Sequence, residues 1–186
     1  MRAFDALVRG EVVLLPTDTL PGLHARADRP LSAQRLRQLK QSADDRPFLL
    51  LAPDTATVWT VATTATAQQR ERLTAAWPGP ITALLRPLPS TPPSWVDRGG
   101  TIGIRVPDHP NLCELLGRLG ALLYSTSANR AGQPPARSLA DARAAFPQTP
   151  WIDLWGASGD QASTIVDFTT SHDRIVRAGA LAWPPE

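Results

Sequence analysis

The sequence predicts a mixed α/β fold, and three observations carry that prediction. Helical and strand-like segments alternate along most of the 186 residues. The strand-like segments are short apolar runs bounded by proline, glycine or polar residues, which is typical of strands buried in a sheet. Hydrophobic residues make up 42% of the chain, enough for a full core. Because one core is efficient at this length, we expect a single domain spanning residues 1–186.

Glycine, proline and a potential capping serine set the boundaries of the helices and strands in the first half of the chain. Gly10 closes a first short helix, and Pro16 ends the buried strand that follows it. Ser32 can cap a second helix, in which Leu36 and Leu39 face the core. The expected elements, in order, are a helix over 2–9, a strand over 11–15, a helix from 33 to about 41 with Lys40 in its last turn, and a strand over 48–52.

In the second half, Pro78, Gly79 and Pro80 break a helix before the next strand begins. Residues 87–100 are rich in proline and glycine, and we expect a surface loop there. The pattern does not give the order of the strands in the sheet. The expected elements are helices over 66–77, about 111–118 and 138–146, and strands over 81–86, 101–106, 121–124, 163–168 and 174–177.

The composition argues against several kinds of protein. No apolar run approaches the roughly 20 residues that span a bilayer, and the N-terminus lacks a secretory signal, so we expect a cytoplasmic protein. Cys113 is the only cysteine, which excludes an intrachain disulfide and leaves a packed thiol or a nucleophile open. The three histidines lack the spacing of zinc ligands. Walker, dinucleotide-binding and Gly-x-Ser-x-Gly motifs are also absent.

Charge is nearly balanced, with 19 basic and 17 acidic residues, so net charge does not indicate nucleic-acid binding. Lys40 is the only lysine among the 19 basic residues. An ammonium differs from a guanidinium in shape and in donor geometry. Either chance or a specific role can account for this single lysine.

The first candidate site is the loop Pro16–Gly22, which follows the first predicted strand. Ligands of α/β sheets usually bind beyond the carboxyl ends of strands. The hydroxyls of Thr17 and Thr19, the Asp18 carboxylate and free backbone amides could orient a polar ligand there. The alternative is a turn in which these side chains satisfy their own backbone.

Two further segments could carry chemistry. The run Ser125–Asn129 follows a predicted strand, and its small polar side chains could hold phosphate or ribose oxygens, although such residues are also common in loops. Arg105 lies in an otherwise apolar strand, where a guanidinium needs an anion or a dense hydrogen-bond network. A structural salt bridge is the alternative for Arg105.

Seven segments in order along the chain read PTDT at 16–19, LK at 39–40, WPGP at 77–80, GIRVPDHP at 103–110, STSAN at 125–129, STIVDF at 163–168 and IVRAGA at 175–180. Taken together, they resemble the YrdC/TsaC family of threonylcarbamoyl-AMP synthases. Because they cover nearly the whole chain in the order of the family, the chain is identified as a member. The resemblance implies a twisted mixed sheet with helices around a large concave, basic cavity.

The resemblance implies ATP-dependent synthesis of L-threonylcarbamoyl-adenylate from L-threonine and bicarbonate or CO2, with release of pyrophosphate. Mg²⁺ would be bound through the phosphates, and partner proteins would transfer the threonylcarbamoyl group to adenosine 37 of tRNA. The protein would position the reactants and stabilise charge without a covalent nucleophile. The family is also associated with binding double-stranded RNA, so a non-catalytic RNA-binding, tRNA-binding or ribosome-associated protein is one alternative. A divergent paralogue with another substrate is the second.

The resemblance also assigns roles by matched position. Lys40, Thr19 and Arg105 would be the catalytic residues. Lys40 would contact the phosphates, and Thr19 would help to hold threonine. The nucleotide-binding residues would be Lys40, Ser125, Ser127, Asn129 and Arg177, and the threonine-binding residues Thr19, Arg46 and Arg105.

The chain departs from the family pattern in two places. Where the family has Lys-x-Arg, this chain has Lys40, Gln41 and Ser42, so anion binding is expected to be weaker, lost or rerouted through Arg46. Where the family has Tyr-Gly-Leu-Gly, this chain reads PGLH at 21–24. That change removes an aromatic wall and adds the imidazole of His24, which bears on the identity of the substrate.

Overall fold

The computed structural model describes residues 2–155 and 159–184. Nine strands in this part of the chain form one mixed sheet, which confirms the predicted α/β class. The strands are β1 Val13–Leu15, β2 Gly22–Arg26, β3 Leu49–Leu51, β4 Ala62–Thr63, β5 Ile81–Pro87, β6 Ile102–Arg105, β7 Leu123–Ser127, β8 Thr164–Asp167 and β9 Arg174–Arg177.

One helix precedes the first strand, and the others lie between strands. None of the helices in the described residues is long and apolar enough to cross a membrane. A short 3-10 turn, Pro93–Trp95, interrupts the proline-rich loop. The α-helices are α1 Arg2–Val8, α2 Ser32–Lys40, α3 Thr55–Val58, α4 Ala67–Ala76, α5 Pro110–Leu119 and α6 Leu139–Ala145.

The strand order is β1-β2-β7-β3-β6-β5-β8-β9, with β4 paired to β5 off this path. Two of the pairs, β3 with β6 and β5 with β8, are parallel, and the others are antiparallel. Strands that are distant in sequence are therefore neighbours at the centre of the sheet.

The register of the strands separates the side chains onto two faces, because residues paired across strands point to the same side. One face is apolar across the central strands and packs against Leu36 of α2, Leu73 of α4 and Ala142 of α6. Its central row consists of Ala25, Tyr124, Leu50, Ile104, Ala83 and Val166.

The second face is divided into a covered half and an open half. Apolar side chains on β1, β3 and the start of β7 pack under α1 and α5, forming a second core cluster that includes Val13, Leu51, Leu123, Leu7 and Leu116. Toward the other end of the same face, polar residues replace the apolar ones. This open half carries the candidate site.

Local signals located most helices, with one correction to a cap. Thr66 and Gln69 form a reciprocal capping box at the start of α4, and Ser138 caps α6 through the amide of Asp141. The expected cap of α2 is wrong, because Leu31 occupies the N-cap position without a side-chain cap bond. Ser32 lies inside the helix, and its hydroxyl donates to the Gly10 carbonyl at 3.3 Å.

The strands required more correction. The strand expected over 121–124 begins at Leu123 and continues through Ser127, so the hydroxyl run forms the end of β7 rather than a loop after it. The elements β2, α3 and β4 were not expected. The loop over 87–100 is also less exposed than expected, since Trp95 is buried and its indole donates to the Ala27 carbonyl at 3.1 Å.

Candidate functional site

A cavity of about 600 Å³ opens on the polar half of the second sheet face. Seven of the eight predicted site residues line it, namely Thr19, Lys40, Arg46, Arg105, Ser125, Ser127 and Arg177. A larger cavity of about 1160 Å³ lies beside α1, α5 and residues 147–155, but it contains none of these residues. Convergence of the predicted side chains therefore favours the smaller cavity as the functional site.

The loop before β2 combines both interpretations considered for it. Thr17 behaves as a turn residue, since its hydroxyl donates to the Leu20 carbonyl at 2.8 Å and accepts from the Thr19 amide at 3.1 Å. The hydroxyls of Thr17 and Thr19 lie 3.0 Å apart. Because the single proton of Thr17 is directed at Leu20, Thr19 must be the donor between them. The remaining lone pairs of the Thr19 hydroxyl can accept from a ligand.

Lys40 is held at the end of α2 by β7 and the residues just after it. Its ammonium donates to the Ser127 carbonyl at 2.8 Å, to the Asn129 carbonyl at 3.0 Å and to the Asn129 side-chain oxygen at 3.2 Å. Burial lowers the pKa of Lys40 to about 8. The three oxygen acceptors favour the protonated form, so the side chain still carries its charge at neutral pH.

Asn129 differs from the other predicted site residues in its placement. It does not line the cavity but lies behind Lys40, where its amide donates to the carbonyls of Arg130 and Gln133. Its side-chain oxygen accepts from Lys40 and from the Ser127 hydroxyl. The geometry gives Asn129 a supporting contact with Lys40, and its predicted nucleotide contact stays a prediction.

Arg105, at the end of β6, forms a buried ion pair with Asp18. The two side chains are only 4% and 8% exposed, and Nη1 of Arg105 lies 3.0 Å from Oδ1 of Asp18. The pair lacks the angles of a hydrogen bond, so both Asp18 oxygens and two Arg105 nitrogens have no hydrogen-bond partner among the described residues. Burial lowers the pKa of Arg105, while the Asp18 charge opposes that shift. Arg105 therefore forms the structural salt bridge that was the alternative for it, and its guanidinium keeps nitrogens that can still donate hydrogen bonds.

Arg177, at the end of β9, also lines the cavity, and its charge contributes to the lowered pKa of Arg105. The Arg177 guanidinium donates to the Ser163 carbonyl at 2.7 Å, and burial lowers its pKa. The Ser163 hydroxyl lies 2.7 Å from that of Thr82. Both hydroxyls line the cavity, and sequence reasoning missed their contribution, although Ser163 begins the STIVDF segment.

Arg46 lies at the rim, where Asp44 already compensates its charge. Its side chain is 78% exposed and donates to Asp44 through Nε at 2.8 Å and Nη2 at 2.6 Å. The hydrogen bonds from Arg46 lower the pKa of Asp44 to about 2. Recruiting Arg46 to a substrate would require it to leave this carboxylate.

Arg37 organises the rim, a role that sequence reasoning did not assign. It donates to the carbonyls of Asp44, Asp45 and Arg46 at 3.0 to 3.2 Å. Its guanidinium also lies 5.3 Å from the ring centre of Phe48, which lines the cavity. In the sequence, the only sign of this role was that Arg37 lies one helical turn before Lys40.

Cys113 lies outside this cavity, and burial raises the pKa of its thiol.

Comparison with known proteins relates the chain to a sequence family and to solved structures. The sequence model of the Sua5/YciO/YrdC family, described as "Telomere recombination", matches residues 5–179. A protein of Nitrosococcus oceani named threonylcarbamoyl-AMP synthase is 37% identical over 153 residues, which are 82% of this chain and 83% of that protein. One of Chromohalobacter salexigens with the same name is 38% identical over 168 residues, covering 89% and 90% of the two chains.

Solved structures share the fold at lower identity. P. abyssi Sua5, described as complexed with L-threonine, superposes with a TM-score of 0.86 at 23% identity. The match covers 97% of this chain but 54% of the Sua5 chain, so the present chain spans about half the length of that protein. E. coli YciO gives a TM-score of 0.83 at 23% identity, covering 96% and 88% of the two chains. The chain therefore belongs to the Sua5/YciO/YrdC family.

Proposed function

We propose that this protein synthesises L-threonylcarbamoyl-adenylate from L-threonine, bicarbonate or CO2, and ATP, as a nucleotidyltransferase that releases pyrophosphate. The observation that carries the proposal is the shared cavity of Thr19, Lys40, Arg105, Ser125 and Arg177. Relatives named threonylcarbamoyl-AMP synthase, matched over most of their length, supply the identity of the reaction.

The amino-acid end of the cavity is assigned to Thr19 and Arg105. A threonine amine needs an acceptor, and the Thr19 hydroxyl keeps lone pairs after donating to Thr17. A threonine carboxylate needs a cation, and Arg105 retains nitrogens without a hydrogen-bond partner. Arg46 would join this end only after leaving Asp44.

The nucleotide end is assigned to Lys40, Ser125, Ser127 and Arg177, with Asn129 supporting Lys40. Lys40 already uses three donors, so a phosphate oxygen would replace one of its present acceptors. Mg²⁺ held by the phosphates would neutralise the leaving pyrophosphate. The two carboxylates that line the described cavity, Asp44 and Asp97, already accept hydrogen bonds from Arg46 and Thr101. This set of contacts fits a metal held mainly through the nucleotide.

The reaction needs no covalent bond to the protein. The threonine nitrogen adds to the carbon of CO2 and loses a proton to water, which gives a carbamate. A carbamate oxygen then attacks the α-phosphorus of ATP, and the bond from that phosphorus to the bridging oxygen breaks to release pyrophosphate. The protein would align the reactants and stabilise the phosphate charge through Lys40 and Arg177.

The direct test combines purified protein with ATP, Mg²⁺, L-threonine and labelled bicarbonate. We expect pyrophosphate release that requires threonine, together with a labelled threonylcarbamoyl-adenylate. Thr19→Val keeps the shape of the side chain but removes the acceptor, so it should raise the KM for threonine more than the KM for ATP. Absence of product in the presence of intact RNA binding would instead favour a non-catalytic RNA-binding protein.

The wider setting belongs to the same proposal. A single domain over residues 1–186 would release its adenylate in the cytoplasm to proteins that transfer the group to tRNA. Double-stranded RNA or tRNA would contact the protein only as a secondary partner. Pull-down with tRNA in the presence and absence of the substrates tests that contact.

A further inference from the structure

His24 is a fully buried histidine beneath the wall of the cavity. It lies in β2, is 0% exposed, and pairs in register with Val13 on one side and Ser125 on the other. Because paired residues point to the same side, the imidazole shares the sheet face of Ser125, which lines the cavity. The cavity lining itself does not include His24.

The imidazole leans along β2 over the first residue of the strand. Its Nε2 lies 2.6 Å, and its Cε1 3.0 Å, from the point that a Cβ on Gly22 would occupy. Gly22 lines the cavity and joins β2 to the loop that carries Thr19. The ring therefore fills the space that a side chain at position 22 would take, directly under the entry of that loop.

Arg105 is an electrostatic neighbour of this ring. Burial, together with the charge of Arg105, lowers the pKa of His24 to about 3, against a smaller opposing effect of the Leu15 backbone. Leu15 does not form a hydrogen bond of good geometry with the ring, since neither ring nitrogen has a partner among the described residues. A neutral ring can adjoin a guanidinium without repelling it.

Most of the unpartnered buried polar atoms belong to three residues. Eight buried side-chain nitrogen or oxygen atoms lack hydrogen-bond partners in the described chain, and six of them belong to Asp18, His24 and Arg105. A buried polar atom without a hydrogen-bond partner costs free energy of folding. Such atoms therefore occur mostly at functional sites, where a ligand can supply the missing partner.

We propose that His24 is a positioning residue for the amino-acid end of the site, where its imidazole packs against Gly22 and supports the loop of Thr19. This inference rests on the proposed function for its substrate, L-threonine. It makes the side chain at position 24 a determinant of threonine affinity rather than of nucleotide affinity. His24 itself would touch neither substrate.

The test compares wild type with His24→Gly, which removes the ring, and His24→Gln, which keeps a neutral polar side chain of similar length. We expect His24→Gly to raise the KM for threonine about tenfold with the KM for ATP within about twofold, because a small displacement of a positioned group is costly. His24→Gln should restore most of the threonine affinity. His109→Asn is the matched control, since His109 is a buried histidine that caps α5 outside the cavity, and asparagine can keep that cap.

Several outcomes would overturn the inference. These are an unchanged threonine KM in His24→Gly, an equal rise in both KM values, or a rise of similar size in His109→Asn. If His24→Gly does not fold, His24→Ala replaces it, and the same comparison applies.

A structural measurement separates failure of this inference from failure of the proposed function. Crystal structures of wild type and His24→Gly should show Gly22 and the Thr19 loop displaced by about 1 Å or more toward the vacated space. That result would support the positioning role even if the wild type made no threonylcarbamoyl-adenylate. Superimposable positions of Gly22 and of the Thr19 loop would sink the inference whatever the activity.

Discussion

Among single residues, Lys40 has a structural role that its contacts show and a chemical role that is proposed. Its three hydrogen bonds join the end of α2 to the residues that close β7. The same bonds fix the ammonium at the cavity wall, so its position is set before any nucleotide binds. An arginine at this point would offer a planar fork instead of a compact cation.

Lys40 should make nucleotide affinity and stability depend on pH in opposite directions. The folded pKa is about 8, against 10.5 as the ordinary value. Between these values the unfolded chain binds more protons, so stability should rise with pH across that window. Protonated Lys40 is lost over the same window, so the KM for ATP should rise. Urea unfolding and ATP titrations between pH 7 and 10 measure the two trends.

Two variants isolate this residue. Lys40→Ala should lower kcat/KM about 100-fold, as expected for loss of a positioned charge at a phosphate. Lys40→Arg should retain part of the activity but lose the alkaline rise in the KM for ATP, because arginine stays charged. An Ala variant as active as wild type would remove the assigned phosphate contact.

The pair of Asp18 and Arg105 should matter for stability as well as for binding. Asp18→Asn leaves a buried guanidinium without its counter-charge, and removing one partner of a buried pair costs about 3 kcal/mol or more. Asp45→Asn is the control, since Asp45 pairs with Arg98 at the surface, where the side chains are 66% and 84% exposed and a pair contributes under about 1 kcal/mol. Urea unfolding measures both, and equal losses would contradict a special role for the buried pair.

At the level of elements, helix starts are fixed locally and can be tested locally. Thr66→Ala removes the hydroxyl that accepts from the Gln69 amide at 3.2 Å and should cost about 1 kcal/mol of stability. Thr66→Ser keeps that oxygen and should lie within about 0.5 kcal/mol of wild type. The difference in urea midpoints at constant slope provides the measurement.

The same locality explains which elements could be predicted from the sequence. The cap at Ser138 and the breaker at Pro78 act within a few residues, so α6 and the end of α4 were located correctly. Strand β2 was missed because its first four residues are all buried, on both faces, and include Gly22 and His24. No alternation of polar and apolar residues marks such a strand.

The cap assigned to Ser32 failed for a tertiary reason. Its hydroxyl donates to Gly10, which lies 22 residues earlier in the chain. A pattern read within one helix cannot show such a partner. The extension of β7 to Ser127 has a similar cause, because pairing with β2 orders residues whose own preference is for loops.

At the scale of the whole molecule, the candidate site depends on strand order rather than on any one segment. Thr19 precedes β2, Lys40 ends α2, Ser125 lies in β7 and Arg177 ends β9. Motif order could group these residues, but only the sheet order brings β2, β7, β3, β6, β5, β8 and β9 together behind one cavity. Their separate roles stay predictions until substrates are tested.

This construction predicts that substrates stabilise the whole fold. The residues that line the cavity are spread along the sequence from position 17 to position 177, so they come together only in the folded protein. An unfolded chain therefore cannot bind the substrates as the cavity does. A ligand at 100 times its Kd then adds about 2.7 kcal/mol, which raises Tm by roughly 5–10 °C for a domain of this size. Calorimetry with L-threonine and with an ATP analogue blocked at the α,β-bridge should show separate upward shifts.

Lys40→Ala gives the discriminating version of that experiment. It should abolish the shift produced by the ATP analogue and leave the shift produced by threonine, because Lys40 is assigned to the phosphates. Thr19→Val should do the reverse, since its lost acceptor faces the amine. If both variants lost both shifts equally, the cavity would not be divided into an amino-acid end and a nucleotide end. Stabilisation by double-stranded RNA without any shift from either substrate would place the function on a binding surface instead.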